Sequence, residues 1–243
     1  MNNLLSQIAE NAVFVLVFAG VIILMFLIAY GVEKLVKKKN NDTERVLSTR
    51  KIVVIGMFSA ISTVLMLLEF PVPFAPPGIY KLDFSELPAL IGGFAFGPVA
   101  GVMIEFIKIL LKTIIKGSST AFVGELANFF VGCSFILPAT VIYLIKKNKV
   151  NAIISCVIGT IIITIVGSSF NAFYLLPTFA KMFGMEIDTI IAMGTAVNSH
   201  VTSLSDFIFL IVAPVNILKG TMISIVTLFI YKPLSPILKG TRK

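Results

Sequence analysis

Three hydrogen-bonding side chains stand together at the start of an apolar segment of this chain. Asp83, Ser85 and Glu86 lie in the run Leu82-Asp-Phe-Ser-Glu-Leu-Pro-Ala-Leu-Ile-Gly-Gly93. Their spacing fits a helix N-terminus, in which Asp83 caps the first turn and Glu86 answers it three residues later. The same groups at the mouth of a lipid-buried helix are also suited to hold a polar ligand, so the run has both a structural and a functional interpretation.

Further polar side chains fall inside apolar segments later in the chain. Asn216 and Lys219 are three residues apart and therefore share one helix face. A lysine well inside a span is costly and its reach to the interface is limited, so we favour a functional role for this pair. Asn171, near the outer end of another segment, fits helix–helix hydrogen bonding equally well. Glu125 and Asn128 open a further segment, where Glu125 could simply complement the helix N-terminus.

Four charged residues occupy a single apolar segment, and each charge costs about 2.5–3.5 kcal/mol on insertion scales. They are Glu105, Lys108, Lys112 and Lys116, and their spacing of three and four residues puts them on one face of a helix. Two interpretations remain open. Either Glu105 pairs with Lys108 while the other two lysines snorkel outward, or the four side chains form the polar wall of a cavity.

The amino-acid composition indicates whether these residues lie in a soluble protein or in a membrane protein. Of the 243 residues, 57% are hydrophobic and 13% are charged, and the mean hydropathy is +1.01. A soluble domain cannot hide so much apolar surface, whereas a lipid bilayer covers it, so we expect an integral membrane protein. The net charge of +8 comes from lysines and arginines in short loops, which argues against nucleic-acid binding. Cys133 and Cys156 lie inside apolar runs, which predicts buried free thiols.

Apolar segments of about 20 residues are long enough to span a bilayer as helices. We predict an all-α membrane protein with one N-terminal transmembrane helix over residues 12–32 and a core of six further helices. The core helices are expected at 52–70, 84–96, 99–115, 124–145, 150–176 and 204–231. The chain then divides into an N-terminal anchor (1–36), a basic cytoplasmic linker (37–51) and a six-helix core (52–243).

The distribution of positive charge orients these helices in the plasma membrane. Three basic segments fall on the same side of the predicted spans, which is the cytoplasmic side by the positive-inside rule. They are 37–51, 146–149 and 232–243. The C-terminus is then cytoplasmic and the N-terminus extracellular. The loops expected outside are 71–81, 116–123 and 177–203.

The polar side chains cluster at one depth, towards the outside, which suggests a pocket open to the exterior. The loop 71–81 contains four prolines as well as Tyr80 and Lys81, and a stiff loop with apolar side chains can pack over a ligand. The sequence contains no G-x-x-x-x-G-K-[ST], H-E-x-x-H or G-x-S-x-G motif and has one histidine, His200. We therefore expect a binding or transport protein rather than an ATPase or a metal- or triad-dependent enzyme.

From about residue 52 onward, the chain resembles the riboflavin-specific S components, which are the substrate-binding membrane subunits of energy-coupling factor (ECF) transporters. Six short segments carry the resemblance. They are Leu82-Asp-Phe-Ser-Glu-Leu-Pro-Ala-Leu-Ile-Gly-Gly93, Gly117-Ser-Ser-Thr120, Gly124-Glu-Leu-Ala-Asn-Phe129, Phe135-Ile-Leu-Pro138, Asn216-Ile-Leu-Lys219 and Tyr231-Lys-Pro-Leu-Ser-Pro236. They cover nearly the whole predicted core, and the N-terminal helix is a departure from the usual six-helix form.

The resemblance implies capture of riboflavin from outside and its uptake in a complex with a transmembrane coupling subunit and two ATPase subunits. Riboflavin is then the transported substrate, and no cofactor is expected. Asn171, Asn216 and Lys219 match ligand-binding positions of the family. The full set of expected substrate-binding residues is Asn171, Asn216, Lys219, Tyr80, Lys81, Leu82, Asp83, Glu125 and Asn128. Members dock on the coupling subunit through small residues of the first core helix, here Gly56 and Ala60.

Three alternatives remain open on the sequence alone. The same fold could take another vitamin or flavin mononucleotide, because Lys81 and Lys116 bring positive charge to the mouth. A stand-alone secondary transporter would take up its solute without coupling subunits. A membrane enzyme would use Glu105 and Lys108 as acid–base groups and would turn over a substrate with no flavin bound.

Overall fold

The computed structural model describes the backbone of residues 12–239 and the side chains of residues 16–234. Within that part of the chain the regular secondary structure is helical apart from one short hairpin. The long helices are α1 (Ala12–Lys39), α2 (Thr49–Leu67), α4 (Pro98–Lys116), α5 (Val123–Ile145), α6 (Lys149–Phe170) and α10 (Ala213–Lys239). The shorter elements are β1 (Phe70–Pro71), β2 (Lys81–Leu82), α3 (Glu86–Phe96), α7 (Leu176–Met182), α8 (Ile187–Thr195) and α9 (Leu204–Phe207). The predicted extracellular N-terminus lies outside the described residues.

Two π-helical turns each join two consecutive α-helices into one continuous helical rod. Asn171–Leu175 joins α6 to α7, and Ile208–Val212 joins α9 to α10. Five of the described helical segments are long and apolar enough to cross a membrane. They are Leu16–Lys39, Thr49–Leu67, Val123–Ile145, Lys149–Met182 and Leu204–Leu234. The chain is therefore a multi-pass helical membrane protein.

Helix α3 occupies the centre of this bundle. It has 11 residues, so at a rise of 1.5 Å per residue it is roughly 16 Å long, too short to cross the hydrocarbon core alone. Every residue from Pro88 to Phe96 is buried, and α2, α4, α5 and α10 pack around it. A helix that is apolar on all sides is stable only in such a position. Gly97 then turns the chain with a φ of 107°, and Pro98 begins α4.

Aromatic rings hold α3 to its neighbours at the end of the helix far from Glu86. Phe94 stacks on Tyr143 with ring centroids 4.4 Å apart and meets Tyr231 edge-on at 5.4 Å. The Tyr231 hydroxyl also donates a hydrogen bond to the carbonyl oxygen of Phe94 at 3.1 Å. These contacts fasten α5 and α10 to α3 and leave the opposite ends of the helices to form a cavity.

The predicted helices are present, and each core helix begins within a few residues of its expected start. The all-α prediction misses the hairpin, in which Phe70 pairs with Leu82 and Pro71 with Lys81. The outer loop 177–203 contains α8 and most of α7. The linker 37–51 is shorter than predicted, because its first residues complete α1 and its last ones begin α2. Both cysteines are free and buried, as predicted.

Helix α1 is fastened to the core by two side chains that cap other helices. Glu33 is fully buried and accepts a hydrogen bond from the backbone N–H of Val99 at 3.0 Å, in the first turn of α4. Asn40 donates to the carbonyl oxygens of Leu144 and Ile145, at 3.2 and 3.3 Å, at the end of α5. Terminal N–H and C=O groups have no partner within their own helix, so α1 satisfies an orphaned group at each of two helix ends.

Replacing Glu33 by alanine should destabilise the protein by about 1–3 kcal/mol, because a buried N–H loses its acceptor. Lys37, whose ammonium lies 3.5 Å from Glu33, loses that ion pair as well and keeps its hydrogen bond to the carbonyl oxygen of Glu44. Thermal unfolding in detergent measures the change. Leu27→Ala is the control, since Leu27 lies on the same helix with 64% of its surface exposed. A Glu33→Ala protein as stable as the wild type would show that α1 is only loosely attached.

Candidate functional site

The bundle encloses a cavity of about 560 Å³ between the β1–β2 hairpin and the ends of the surrounding helices. This volume lies within the usual range of small-molecule sites. The walls come from α2, the hairpin, α3, α4, α5, the α6–α7 rod, α8 and α10. The predicted site residues that line the cavity are Tyr80, Lys81, Asp83, Glu125, Asn128, Asn171, Asn216 and Lys219. The structure brings them together, and their contact with a ligand stays a prediction.

Leu82 is the predicted site residue that lies apart from the others. Its side chain is 3% exposed and packs in an apolar cluster with Val72, Phe207 and Ile211. Its backbone pairs with Phe70 in the hairpin. Leu82 therefore holds the hairpin against the helices instead of facing the cavity.

Two buried amides form the deep polar wall. Asn171 accepts a hydrogen bond from the Tyr80 hydroxyl at 2.8 Å and donates to the carbonyl oxygen of Gly167 at 2.8 Å. Asn216 donates to the carbonyl oxygen of Val212 at 3.1 Å. Burial raises the pKa of Tyr80, so its hydroxyl stays protonated and able to donate. The hairpin is thus tied to the α6–α7 rod through the same amide that faces the cavity.

Local backbone geometry positions these amides in a way that the sequence pattern does not reveal. Asn171 begins one π-helical turn, and Val212, which accepts from Asn216, ends the other. Such turns shift the register of the residues that follow and occur frequently at functional sites. Gly167 lets α6 approach α10 closely, because an added Cβ would lie 3.0 Å from the Asn216 Nδ2 atom.

A buried network of five charges lies beside the amides. Lys219 Nζ is 2.8 Å from Glu86 Oε1 and 3.6 Å from Asp83 Oδ2. Lys108 Nζ is 3.3 Å from the same Glu86 oxygen and 2.6 Å from Glu105 Oε2. The network joins α3, α4 and α10 across the floor of the cavity. Each of these side chains has an oppositely charged group within reach, which offsets part of the free-energy cost of burying it.

The capping interpretation of the Asp83–Glu86 run is wrong in its main point. Helix α3 begins at Glu86 without a side-chain cap. Asp83 accepts from the N–H of Ser85 at 2.7 Å, and the Ser85 hydroxyl receives a hydrogen bond from Lys108 at 3.1 Å. One Glu86 oxygen instead pairs with two lysines, Lys108 from α4 and Lys219 from α10. The run is therefore the centre of an ion network.

The interpretation in which Lys112 snorkels outward is also wrong. Lys112 donates to Glu125 Oε1 at 2.8 Å, and its side chain is 20% exposed. The other Glu125 oxygen accepts from Ser118 at 2.8 Å and from Thr120 at 3.2 Å. The chain reversal between α4 and α5 brings Glu125 back to face Lys112. The predicted Glu105–Lys108 pair is present. Lys112 and Lys116 line the cavity, so this face of α4 contains both an ion pair and part of the cavity wall.

Glu69, at the mouth of the cavity, is a residue that the sequence reasoning missed. It follows the end of α2, and one of its oxygens pairs with Lys81 on β2 and with Lys116 at the end of α4. Burial favours a higher pKa for Glu69, but the hydrogen bond from Lys81 and the charges of both lysines hold that pKa below its ordinary value. The three residues are far apart in the chain, so no local spacing could have indicated the cluster.

Comparison with known proteins decides the family. Residues 50–231 match the family described as "ECF transporter, substrate-specific component". The chain belongs to this family. The matched segment of this S component begins at the first turn of α2, so α1 lies outside it.

Relatives and a solved structure agree with the family assignment. The chain is 39% identical over 190 residues to "Riboflavin transporter RibU" of Staphylococcus aureus (strain TCH60), covering 78% of this chain and 93% of the relative. It is 34% identical over 197 residues to "Riboflavin transporter FmnP" of Bacillus subtilis (strain 168), covering 81% and 97%. The solved structure titled "Structure and mechanism of the S component of a bacterial ECF transporter" superposes with a TM-score of 0.60 at 38% identity, covering 78% and 97%.

Removing one member of the buried network should be far more damaging than removing a matched pair. Lys108→Met leaves Glu105 and Glu86 close together with less positive charge, which should cost about 3–5 kcal/mol of stability. The double variant Lys108→Met/Glu105→Gln removes one charge of each sign and should recover most of that loss. Unfolding of the purified protein in detergent gives both values. A double variant as unstable as the single one would show that Lys108 acts through packing alone.

Proposed function

We propose that this S component captures riboflavin on the outer side of the plasma membrane as the substrate-binding subunit of an ATP-driven ECF transporter. Two relatives that align over more than nine-tenths of their length are named riboflavin transporters. The observation that carries the proposal is the convergence of Asn171, Asn216 and Lys219 on one cavity of suitable size, from the α6–α7 rod and from α10.

The chemistry of the walls suits a flavin ring. The pyrimidine edge of isoalloxazine has an N–H donor flanked by two carbonyl acceptors, and an Asn amide both donates and accepts. Lys219 has three N–H donors, and its contacts with Glu86 and Asp83 leave one for a ring carbonyl or nitrogen. Apolar side chains on the same cavity suit the dimethylbenzene end of the ring. They include Ile163, Leu175, Leu176, Phe179, Ile190 and Val215.

The ion network has a specific task in this scheme. A free lysine at this depth would be costly, and it would also be free to adopt many rotamers. Glu86 holds the Lys219 ammonium at the cavity wall, and Glu86 is itself held by Lys108. Glu86 and Lys108 are therefore positioning residues for Lys219. Preorganisation of this kind lowers the entropy lost when the ligand binds.

The membrane arrangement and the partners are part of the proposal. We infer a six-helix S-component core with α1 as an added transmembrane helix, the C-terminus in the cytoplasm and the N-terminus outside. The sequence has no phosphate-binding loop motif, so the energy of ATP would come from two separate ATPase subunits through a transmembrane coupling subunit. Riboflavin is the cargo of this assembly, and the lipid bilayer covers its apolar surface.

The direct test is flavin binding by the purified protein. Protein isolated from riboflavin-containing medium should be yellow with a flavin absorption band, and riboflavin fluorescence should be quenched on titration of the ligand-free form. Uptake in cells should require the coupling and ATPase subunits. Colourless protein that leaves riboflavin fluorescence unchanged would contradict the proposal, and uptake without the other subunits would favour a stand-alone transporter.

Variants of the deep wall should weaken riboflavin binding. Asn216→Ala should keep the stability of the wild type, whereas Lys219→Ala leaves Glu86 with Lys108 alone and should also be less stable. Lys219→Ala and Asn216→Ala each leave a polar ring edge buried without a partner, which should cost about 1–3 kcal/mol, roughly ten- to a hundred-fold in affinity. Fluorescence titration measures the affinity, and thermal melting verifies the fold. Lys181→Ala is the matched control, because Lys181 is exposed and does not line the cavity. Wild-type affinity in the folded Lys219 and Asn216 variants would remove them from the site.

The coupling face should be separable from the binding site. Gly56 and Ala60 are exposed on α2, and an added side chain at Gly56 meets no atom within 4 Å. We expect Gly56→Leu or Ala60→Leu to keep riboflavin binding but to prevent assembly with the coupling subunit, because small residues allow close helix approach.

Co-purification with the coupling subunit and cellular uptake measure this effect. Gly20→Leu is the matched control, since Gly20 is an exposed glycine on α1 that also has open space around it. Normal uptake by both α2 variants would show that this face contacts only lipid.

A further inference from the structure

The mouth of the cavity carries a charge cluster that the proposed riboflavin function does not use. Glu69, Lys81 and Lys116 all line the cavity; Glu69 lies between α2 and β1, Lys81 begins β2 and Lys116 ends α4. The Lys116 ammonium is 3.5 Å from Glu69 Oε1, the same oxygen that accepts from Lys81. One carboxylate thus forms ion pairs with two lysines.

The positions of Asn216 and Lys219 along the helical rod indicate which part of a bound flavin would meet this cluster. Asn216 is 12 residues and Lys219 is 15 residues after Leu204, where α9 begins. At 1.5 Å per residue they lie about 18 Å and 22 Å along the helical rod. Lys108 shares Glu86 with Lys219, and Lys116 is the last residue of α4, eight residues or about 12 Å further along that helix. A flavin with its ring edge on the deep wall therefore directs its ribityl tail towards Glu69, Lys81 and Lys116.

A phosphate on that tail would introduce about 1.5 to 2 negative charges at neutral pH. Two lysines on adjoining elements would bind such a group well if they were unoccupied. Lys112, the next lysine inward, is already held by Glu125 at 2.8 Å. The Glu69 carboxylate both occupies the two outer lysines and repels an incoming anion.

We propose that Glu69 sets the preference of the site for a flavin with an uncharged tail over its 5′-phosphate, by occupying Lys81 and Lys116. This assignment rests on the proposed function, because it takes the flavin ring to be bound at the deep wall. Glu69 is a specificity-determining residue in this scheme and is not needed to bind the ring.

The exposure of the cluster makes the proposal testable. The side chains of Glu69, Lys81 and Lys116 are 30%, 44% and 55% exposed. Ion pairs this exposed contribute little to folding stability, so Glu69→Gln should fold normally. The low pKa of Glu69 means that the wild-type side chain is charged at neutral pH and that the substitution removes a real charge.

The experiment compares riboflavin and flavin mononucleotide on wild type and Glu69→Gln, by fluorescence titration in detergent at low salt. We expect the affinity for flavin mononucleotide to rise about fivefold, as for an exposed ion pair, while that for riboflavin changes less than about twofold. The gain should shrink in high salt, because the charges are open to solvent. The double variant Glu69→Gln/Lys116→Ala should lose most of this gain in affinity for flavin mononucleotide.

Asp188→Asn is the matched control, because Asp188 is an exposed carboxylate on α8 that does not line the cavity. It should leave the ratio of the two affinities unchanged. An unchanged ratio in Glu69→Gln, or an equal gain in Asp188→Asn, would overturn the role of Glu69 while riboflavin binding by the wild type still stood. A wild-type protein that binds neither flavin would overturn the proposed function, and this assignment with it.

Discussion

A charge buried away from water needs an opposite charge beside it, and Glu86 meets that need for two lysines at once. Lys108 from α4 and Lys219 from α10 both lie against the same carboxylate oxygen at the start of α3. Without Glu86 the two helices would present like charges to each other in the interior. The ion network therefore fixes the relative positions of α3, α4 and α10 as well as the floor of the cavity.

The apolar packing is arranged so that this polar centre stays open on one side only. Aromatic rings around Phe94 close the bundle at the end of α3 away from Glu86. At the other end, the hairpin and the α6–α7 rod are joined by the hydrogen bond from Tyr80 to Asn171. Helix α1 adds capping groups outside the segment shared with the family, and so it stabilises the wall formed by α4 and α5 without lining the cavity.

The charged side chains of this cavity form two groups, one at its floor and one at its mouth. In the proposed scheme the deep groups, three carboxylates and two lysines that are paired with one another, position hydrogen-bond donors and acceptors for a neutral ring. The cluster of Glu69, Lys81 and Lys116 at the mouth is open to solvent, where its charges act on whatever part of a ligand emerges. In the two proposals, ring recognition and discrimination at the tail are therefore assigned to separate groups of residues.

The sequence by itself determined the membrane class, the helical segments and several of the polar residues that line the cavity. Hydrophobic runs and the cost of charge in lipid are local properties, so Asn216 and Lys219 could be singled out from their own neighbours. Only the tertiary structure decided which charged side chains pair with one another. Glu86 pairs with two lysines, Lys112 pairs with Glu125, and Glu69 pairs with Lys81 and Lys116. Ion pairs between distant elements depend on how the helices pack and where the π turns shift their register, and neither is encoded in the spacing of residues along one segment.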